Sequence, residues 1–237
     1  SGTLGITSAG AVTDSGTLAI TGATTISASG QDITLDESAS TFGTLALTGA
    51  NVAVTENAAT DLGVSTISGT FAITSSGAIT DSGTQAITGD ATFTNTAGSD
   101  DAITLDDASN AFSGTVTFAT DSGSAVTIVD TTALDLVALT AASLSATAGG
   151  AVTDSGTLAI AGATTISASG QDITLDQAAS TFGTLALTGA NVAVTDAGAV
   201  DLGASTVGGT LGITSAGAVT DSGTLAITGA TTISASG

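Results

Sequence analysis

The chain has 237 residues, 21 of them acidic, and holds no Lys, Arg or His, so its net charge is −21 at pH 7. Without a basic side chain there are no side-chain ion pairs, no imidazole for a conventional catalytic triad, and nothing to neutralise the phosphates of a nucleic acid. Cys, Met, Pro, Trp and Tyr are also absent, which removes disulfides and thiolate metal sites from consideration.

In chain order, the first segment shows short apolar runs that alternate with small polar residues. They are Leu4–Ile6, Val12, Leu18–Ile20, Thr25–Ser27, Ile33–Leu35, Leu45–Leu47, Val52–Val54 and Ser65–Ile67, with a weaker one near Asp61–Leu62. Period-2 alternation of this kind marks half-buried strands. Gly, Ser, Asp and Asn fill the gaps, and these are turn formers. Helical periodicity is not evident. No apolar run approaches the roughly 18–20 residues of a membrane helix, so membrane insertion is not expected.

The segments then repeat. Gly2–Gly30 returns unchanged as Gly209–Gly237, and Ala151–Thr210 matches Ala11–Thr70 at 50 of 60 positions, a shift of 140. A weaker copy begins at Phe71. The larger units are 4–70, 71–143, 144–210 and the partial unit 211–237. The 73-residue second unit carries its extra residues at Asn95–Asp101 and within Ala119–Val137. Internal repeats of this kind build solenoids, in which each turn of chain buries its apolar side against the next. Nine strand slots in the first unit suggest three coils of about 22 residues, each with three short strands. The expected fold is all-β: one continuous parallel β-helix over residues 1–237, with right-handed coils the commoner expectation.

Phe is sparse. Phe42, Phe112 and Phe182 recur at shifts of 70, Phe71 takes the slot of Leu4, and Phe93 takes that of Ile26. They are read as fillers of a narrow core. Asp14, Asp81, Asp154 and Asp221 share one slot of the motif V/I-T-D-S-G-T. Three coils of spacing, roughly 14 Å, would keep them beyond a Debye length of about 8–10 Å and free of close like-charge ladders.

Carboxylates are the remaining chemistry. Asp32 and Asp36 cluster in QDITLDES, and Asp100, Asp101, Asp106 and Asp107 in SDDAITLDD. These six are the candidate metal ligands, with calcium the natural ion for oxygen donors at turns, although the G-G-x-G-x-D repeat of calcium-binding β-rolls is absent. Otherwise the acidic positions are read as solvated turn residues. Paired carboxylates also serve glycoside hydrolysis. The first cluster recurs as Asp172 and Asp176, which argues against a unique active site, and no catalytic residue is assigned. Thr-rich strands raise ice binding, which needs T-x-T in one slot of every coil; A-T-T-I-S at Ala23–Ser27 and Ala163–Ser167 alternates with coils that lack it.

The runs GTLAITGATTISASGQDITL and FGTLALTGANVAVT resemble the repeats of filamentous-haemagglutinin-like proteins, very long secreted bacterial adhesins with β-helical shafts. The resemblance implies export, an extracellular or cell-surface location, and a role in attachment, aggregation or biofilm matrix. The expected function is a non-enzymatic fibre or adhesin stalk. A binding module for divalent cations, glycan or ice is the alternative. Neither end of the sequence reads as a cap. The expected partner is accordingly more of the same repeat, by continuation into a longer chain or by head-to-tail stacking. The absence of Met suggests a processed product or an excerpt.

Overall fold

The computed structural model describes residues 2–96, 98 and 100–236; of the insertion expected at Asn95–Asp101, positions 97 and 99 lie outside the described residues. The chain winds into a β-solenoid in which every strand pairing is parallel and connects one coil to the next. One side of the rod is a twelve-stranded sheet that receives one strand per coil, from Val12–Thr13 to Thr231–Ala235. The remaining two sides belong to an eighteen-stranded sheet that bends around a corner. At the interstrand spacing of about 4.8 Å, twelve coils make a rod on the order of 55 Å long.

Local sequence explains the strands. In Val52–Glu56 the burial alternates strictly, with Val52, Val54 and Glu56 inward and Ala53 and Thr55 half-exposed. The same parity holds in Phe71–Ser75, Ala91–Asn95 and Ala125–Asp130. Inward side chains of successive coils stack in register: Val52 on Phe71 on Ala91, and Val54 on Ile73 on Phe93. The core is therefore a set of apolar ladders running the length of the rod, and the strand backbones satisfy their hydrogen bonds with the coil above or below.

All six Phe residues are buried, Phe42, Phe71, Phe93, Phe112 and Phe182 as their slots imply. Phe93 is the centre of an aromatic cluster, edge-on to Phe71 (5.8 Å between centroids) and Phe112 (6.0 Å) and stacked on Phe118 (5.7 Å).

Corners are made by glycine. Gly43, Gly89 and Gly229 each stand directly over the carbonyl oxygen of the glycine one coil earlier, Gly22, Gly69 and Gly209, where a Cβ would come within 2.5 Å of that oxygen. Gly30 and Gly170, at φ 71° and 78°, occupy the third position of β-turns closed by Gln31 N–H to Ala28 O and Gln171 N–H to Ala168 O, a conformation that an L side chain resists.

The coil is shorter than the repeat arithmetic suggested. Val12 pairs with Ile33, Ile33 with Val52, Val52 with Phe71 and Leu211 with Thr231. Successive strands on this side are about 20 residues apart, at the short end of solenoid repeats. The first repeat unit therefore spans three coils plus one further side. Leu4 stands in the eighteen-stranded sheet, yet its counterpart Phe71 stands in the twelve-stranded one. Leu144 returns to the first sheet and Leu211 to the second. The slip occurs where one straight strand is overlain by two. Thr44 and Leu45 pair with Thr60–Leu62, while Thr48 and Gly49 pair with Ser65–Ile67, and the corner Gly63–Val64 sits between. The same arrangement recurs at Thr181–Gly189, overlain by Val200–Leu202 and Ser205–Val207. The longer second unit compensates, so that the duplicated positions return to the same side after seven coils, as Val12 and Val152 do.

Candidate functional site: carboxylates inside and outside the coil stack

The strand parity that buries Val52 and Val54 also buries Glu56, which is 2% exposed. Its Oε1 accepts the backbone N–H of Phe42 at 2.7 Å and its Oε2 the hydroxyl of Thr60 at 2.9 Å. In the duplicate slot, Asp196 accepts Phe182 N–H (2.8 Å) and Gly198 N–H (2.6 Å). Between them, Asp130 accepts Phe112 N–H (3.1 Å), Thr132 N–H (2.9 Å) and the Thr132 hydroxyl (2.8 Å), all on Oδ1. Its Oδ2 is buried with no partner. Each of the three evenly spaced Phe residues thus has its N–H capped by a carboxylate from the following coil. Ser40, Asn110 and Ser180, which precede these Phe residues by two positions, cap the preceding coil at Leu18, Gln85 and Leu158 N–H.

Burial raises Glu56 and Asp130 above the usual carboxylate range, against the hydrogen bonds that oppose it. Asp154, 5% exposed, is raised by burial against the N–H groups of Asp176 and Gln177, which lower it, with a smaller rise from the charge of Asp176. The exposed Asp90 moves the other way, because it accepts hydrogen bonds from Thr115. Glu56, Asp130, Asp154 and Asp196 are therefore not solvated turn residues. For Glu56, Asp130 and Asp196 the parity in V-x-V-x-E, V-x-I-x-D and V-x-V-x-D is the sequence signal that identifies them, whereas Asp154 shares A-V-T-D with half-buried Asp14 and exposed Asp221.

The slot shared by Asp14, Asp81, Asp154 and Asp221 is not one edge of the rod. Asp14 and Asp154 belong to the twelve-stranded side, and Asp81 and Asp221 to the eighteen-stranded sheet, because the repeat unit is not a whole number of coils. Nor are these acids isolated from like charge. Asp14 caps the N–H of Asp36 (3.1 Å), Asp81 those of Asp106 (2.8 Å) and Asp107 (3.3 Å), and Asp154 that of Asp176 (2.8 Å). In these three copies the slot is a cap for the turn of the next coil.

That places Asp36, Asp106 and Asp107 on capped turns. Asp36 and Asp106 are exposed, and Asp107 accepts the Thr84 hydroxyl (3.1 Å) and Ser109 N–H (2.9 Å). Asp32 heads a different ladder. It accepts both Asn51 N–H (3.1 Å) and Asn51 Nδ2 (2.9 Å), and Asn51 Oδ1 accepts Thr70 N–H and hydroxyl, each at 3.1 Å. Asp172, Asn191 and Thr210 repeat it. Asp100 is exposed beside Gly123 and Asp101 is half-buried; the strand Ile103–Leu105 separates both from Asp106 and Asp107. Among the described residues, no three carboxylates converge in a way that could hold a metal ion.

The outward faces are flat files of short side chains. Thr55, Thr74 and Thr94 stack in register, but the A-T-T-I-S strand turns Thr24 into the core and leaves only Thr25 outside. No helix long and apolar enough to cross a membrane occurs among the described residues.

No curated protein and no solved structure matches the chain. One family profile matches it in four successive copies, at residues 1–48, 49–119, 123–188 and 189–237. With nearly every residue inside one of these copies, the chain belongs to the family described as repeats of unknown function (DUF5649).

Proposed function

We propose that the chain is a non-enzymatic structural shaft, a stretch of an extracellular or cell-surface bacterial filament similar to the stalks of filamentous-haemagglutinin-like adhesins or matrix fibres. The observation that carries this reading is the unbroken ladder of the twelve-stranded sheet, in which every coil is fixed to the next by backbone hydrogen bonds and inward apolar stacking. Such a ladder supplies length and stiffness and adapts to indefinite extension. Its partner is more repeat, either in the same chain or in a stacked copy. The acidic skin gives solubility and makes divalent cations the natural bridges between rods.

Cryo-electron microscopy of the native assembly tests the reading. A continuous filament much longer than about 55 Å, with a layer line near about 4.8 Å along its axis, supports it. Closed, discrete particles refute it. Bundling with calcium and separation with a chelator would establish the cation bridge.

A further inference from the structure

Carboxylates buried inside a chain without a single basic side chain have a physical consequence. Glu56, Asp130 and Asp154 are 2%, 1% and 5% exposed, and no basic side chain is present to compensate their charge. We propose that the shaft is tightened by protons: mild acid neutralises these carboxylates inside the coil stack and stabilises the rod, whereas neutral pH leaves it strained by buried charge.

The surroundings of each group support this. Glu56 faces Phe42, Thr60 and, on the next coil, Ser75, none of them titratable. Asp130 faces Phe112, Thr132 and Ala148, again without a second charge, and its Oδ2 has no donor to stabilise the anion. Asp154 faces Gln177, Ser180 and Asp176; the N–H groups of Asp176 and Gln177 oppose the effect of burial, and the like charge of Asp176 adds a smaller cost of ionisation. At Glu56 and Asp130 one oxygen can take the proton while the other still accepts Phe42 or Phe112 N–H, and at Asp154 Oδ1 still accepts Asp176 N–H.

The sign follows from linkage. A carboxyl that holds its proton more tightly folded than unfolded favours folding as pH falls. The gain begins at the raised folded value and is complete below the ordinary range of about 4. Each such group contributes up to about tenfold in the folding constant per pH unit within that window. Ordinary salt-bridged proteins lose stability over the same range.

The experiment is thermal or denaturant unfolding of the full chain between about pH 7 and about pH 4, on the wild type, the double variant Glu56→Gln/Asp130→Asn, and the exposed control Asp36→Asn/Asp106→Asn, which removes the same formal charge. Thr60 can reverse its hydroxyl to accept from the introduced glutamine amide, and the introduced asparagine carbonyl keeps the acceptor that holds Phe112 and Thr132. The expected result is a wild-type folding constant that rises as pH falls, a slope reduced by up to about two powers of ten per pH unit within that window in the buried double variant, and a slope retained in the control. A wild type that weakens in acid, or a buried variant with an unchanged slope, overturns the proposal. Should the buried variant not fold, the infrared carbonyl band of a protonated carboxyl in the wild type decides. Its presence in the folded rod above the ordinary carboxylate range supports the proposal, and its absence there overturns it.

Discussion

The carboxylate of Glu56 holds the backbone N–H of Phe42, 14 residues earlier and one coil below, at 2.7 Å. The bond closes a corner where the ladder of one sheet ends before the next begins, and where a peptide N–H would otherwise be buried without an acceptor.

Removing that acceptor is expected to cost stability. Glu56→Ala leaves the Phe42 N–H and the Thr60 hydroxyl without their partner and should destabilise by about 1–3 kcal/mol at neutral pH. Asp196→Ala should do the same through Phe182 and Gly198. Chemical denaturation measures both, and at neutral pH Glu56→Gln should recover the whole loss, since it keeps the acceptor and removes the buried charge.

Glycine at the stacked corners is expected to be irreplaceable. Gly89→Ala drives a methyl against the Gly69 carbonyl, which is backbone and cannot swing aside. The loss should reach about 2 kcal/mol or more. Gly10→Ala meets nothing within 4 Å and should be neutral or stabilising by a few tenths of a kcal/mol. Equal effects at both positions in thermal unfolding would mean that the corner stacking is not what the geometry implies.

Phe93→Ala empties the middle of the aromatic cluster and should cost about 3–5 kcal/mol in denaturant unfolding. Val64, 65% exposed at the slipped corner, is the control: Val64→Ala, the residue found in the duplicate slot as Ala204, should fall within about 0.5 kcal/mol of the parent.

Salt is expected to stabilise the rod. With 21 acidic residues and no basic one, added ions only screen repulsion. Raising ionic strength from about 0.01 M to about 0.15 M shortens the screening length from about 30 Å to about 8 Å, so the Tm should rise. A falling Tm would require attractive charge pairs that the composition does not contain.

Strand by strand, the sequence was readable. The runs at Leu4–Ile6, Ile33–Leu35, Leu45–Leu47, Val52–Val54 and Ser65–Ile67 all lie within strands, because alternation on a thin sheet directly reports which side chain points inward. Leu18–Ile20 contributes only the bridge of Ala19 to Thr41 in this copy, but its duplicate opens the long strand Leu158–Ser167. The phase of the coils was not readable. Similarity between Leu4 and Phe71 reports shared strand chemistry, and any side of the rod accepts an L-x-I strand, so the repeat length alone does not count coils. Parity marks the buried acids Glu56, Asp130 and Asp196, but Asp154 lies in the same local sequence as half-buried Asp14 and exposed Asp221. Asp32, Asp36, Asp106 and Asp107 sit at the turns that their sequence context implied; what places Asp36 and Asp106 beside Asp14 and Asp81 is pairing between coils, which no local motif contains.

The first, shorter copy advances the rod by three coils and also turns it by one side, while a short copy and a long copy together bring the pattern back into phase. Inheritance of such a rod is therefore governed by a screw rule. A duplication or loss of one short copy together with one long copy changes its length and leaves each exposed feature facing the same way. A duplication or loss of a single short copy rotates everything beyond the junction relative to everything before it. Ladders such as Asp32–Asn51–Thr70 and Asp172–Asn191–Thr210 then form one stripe only as long as the gene grows by whole turns of that screw.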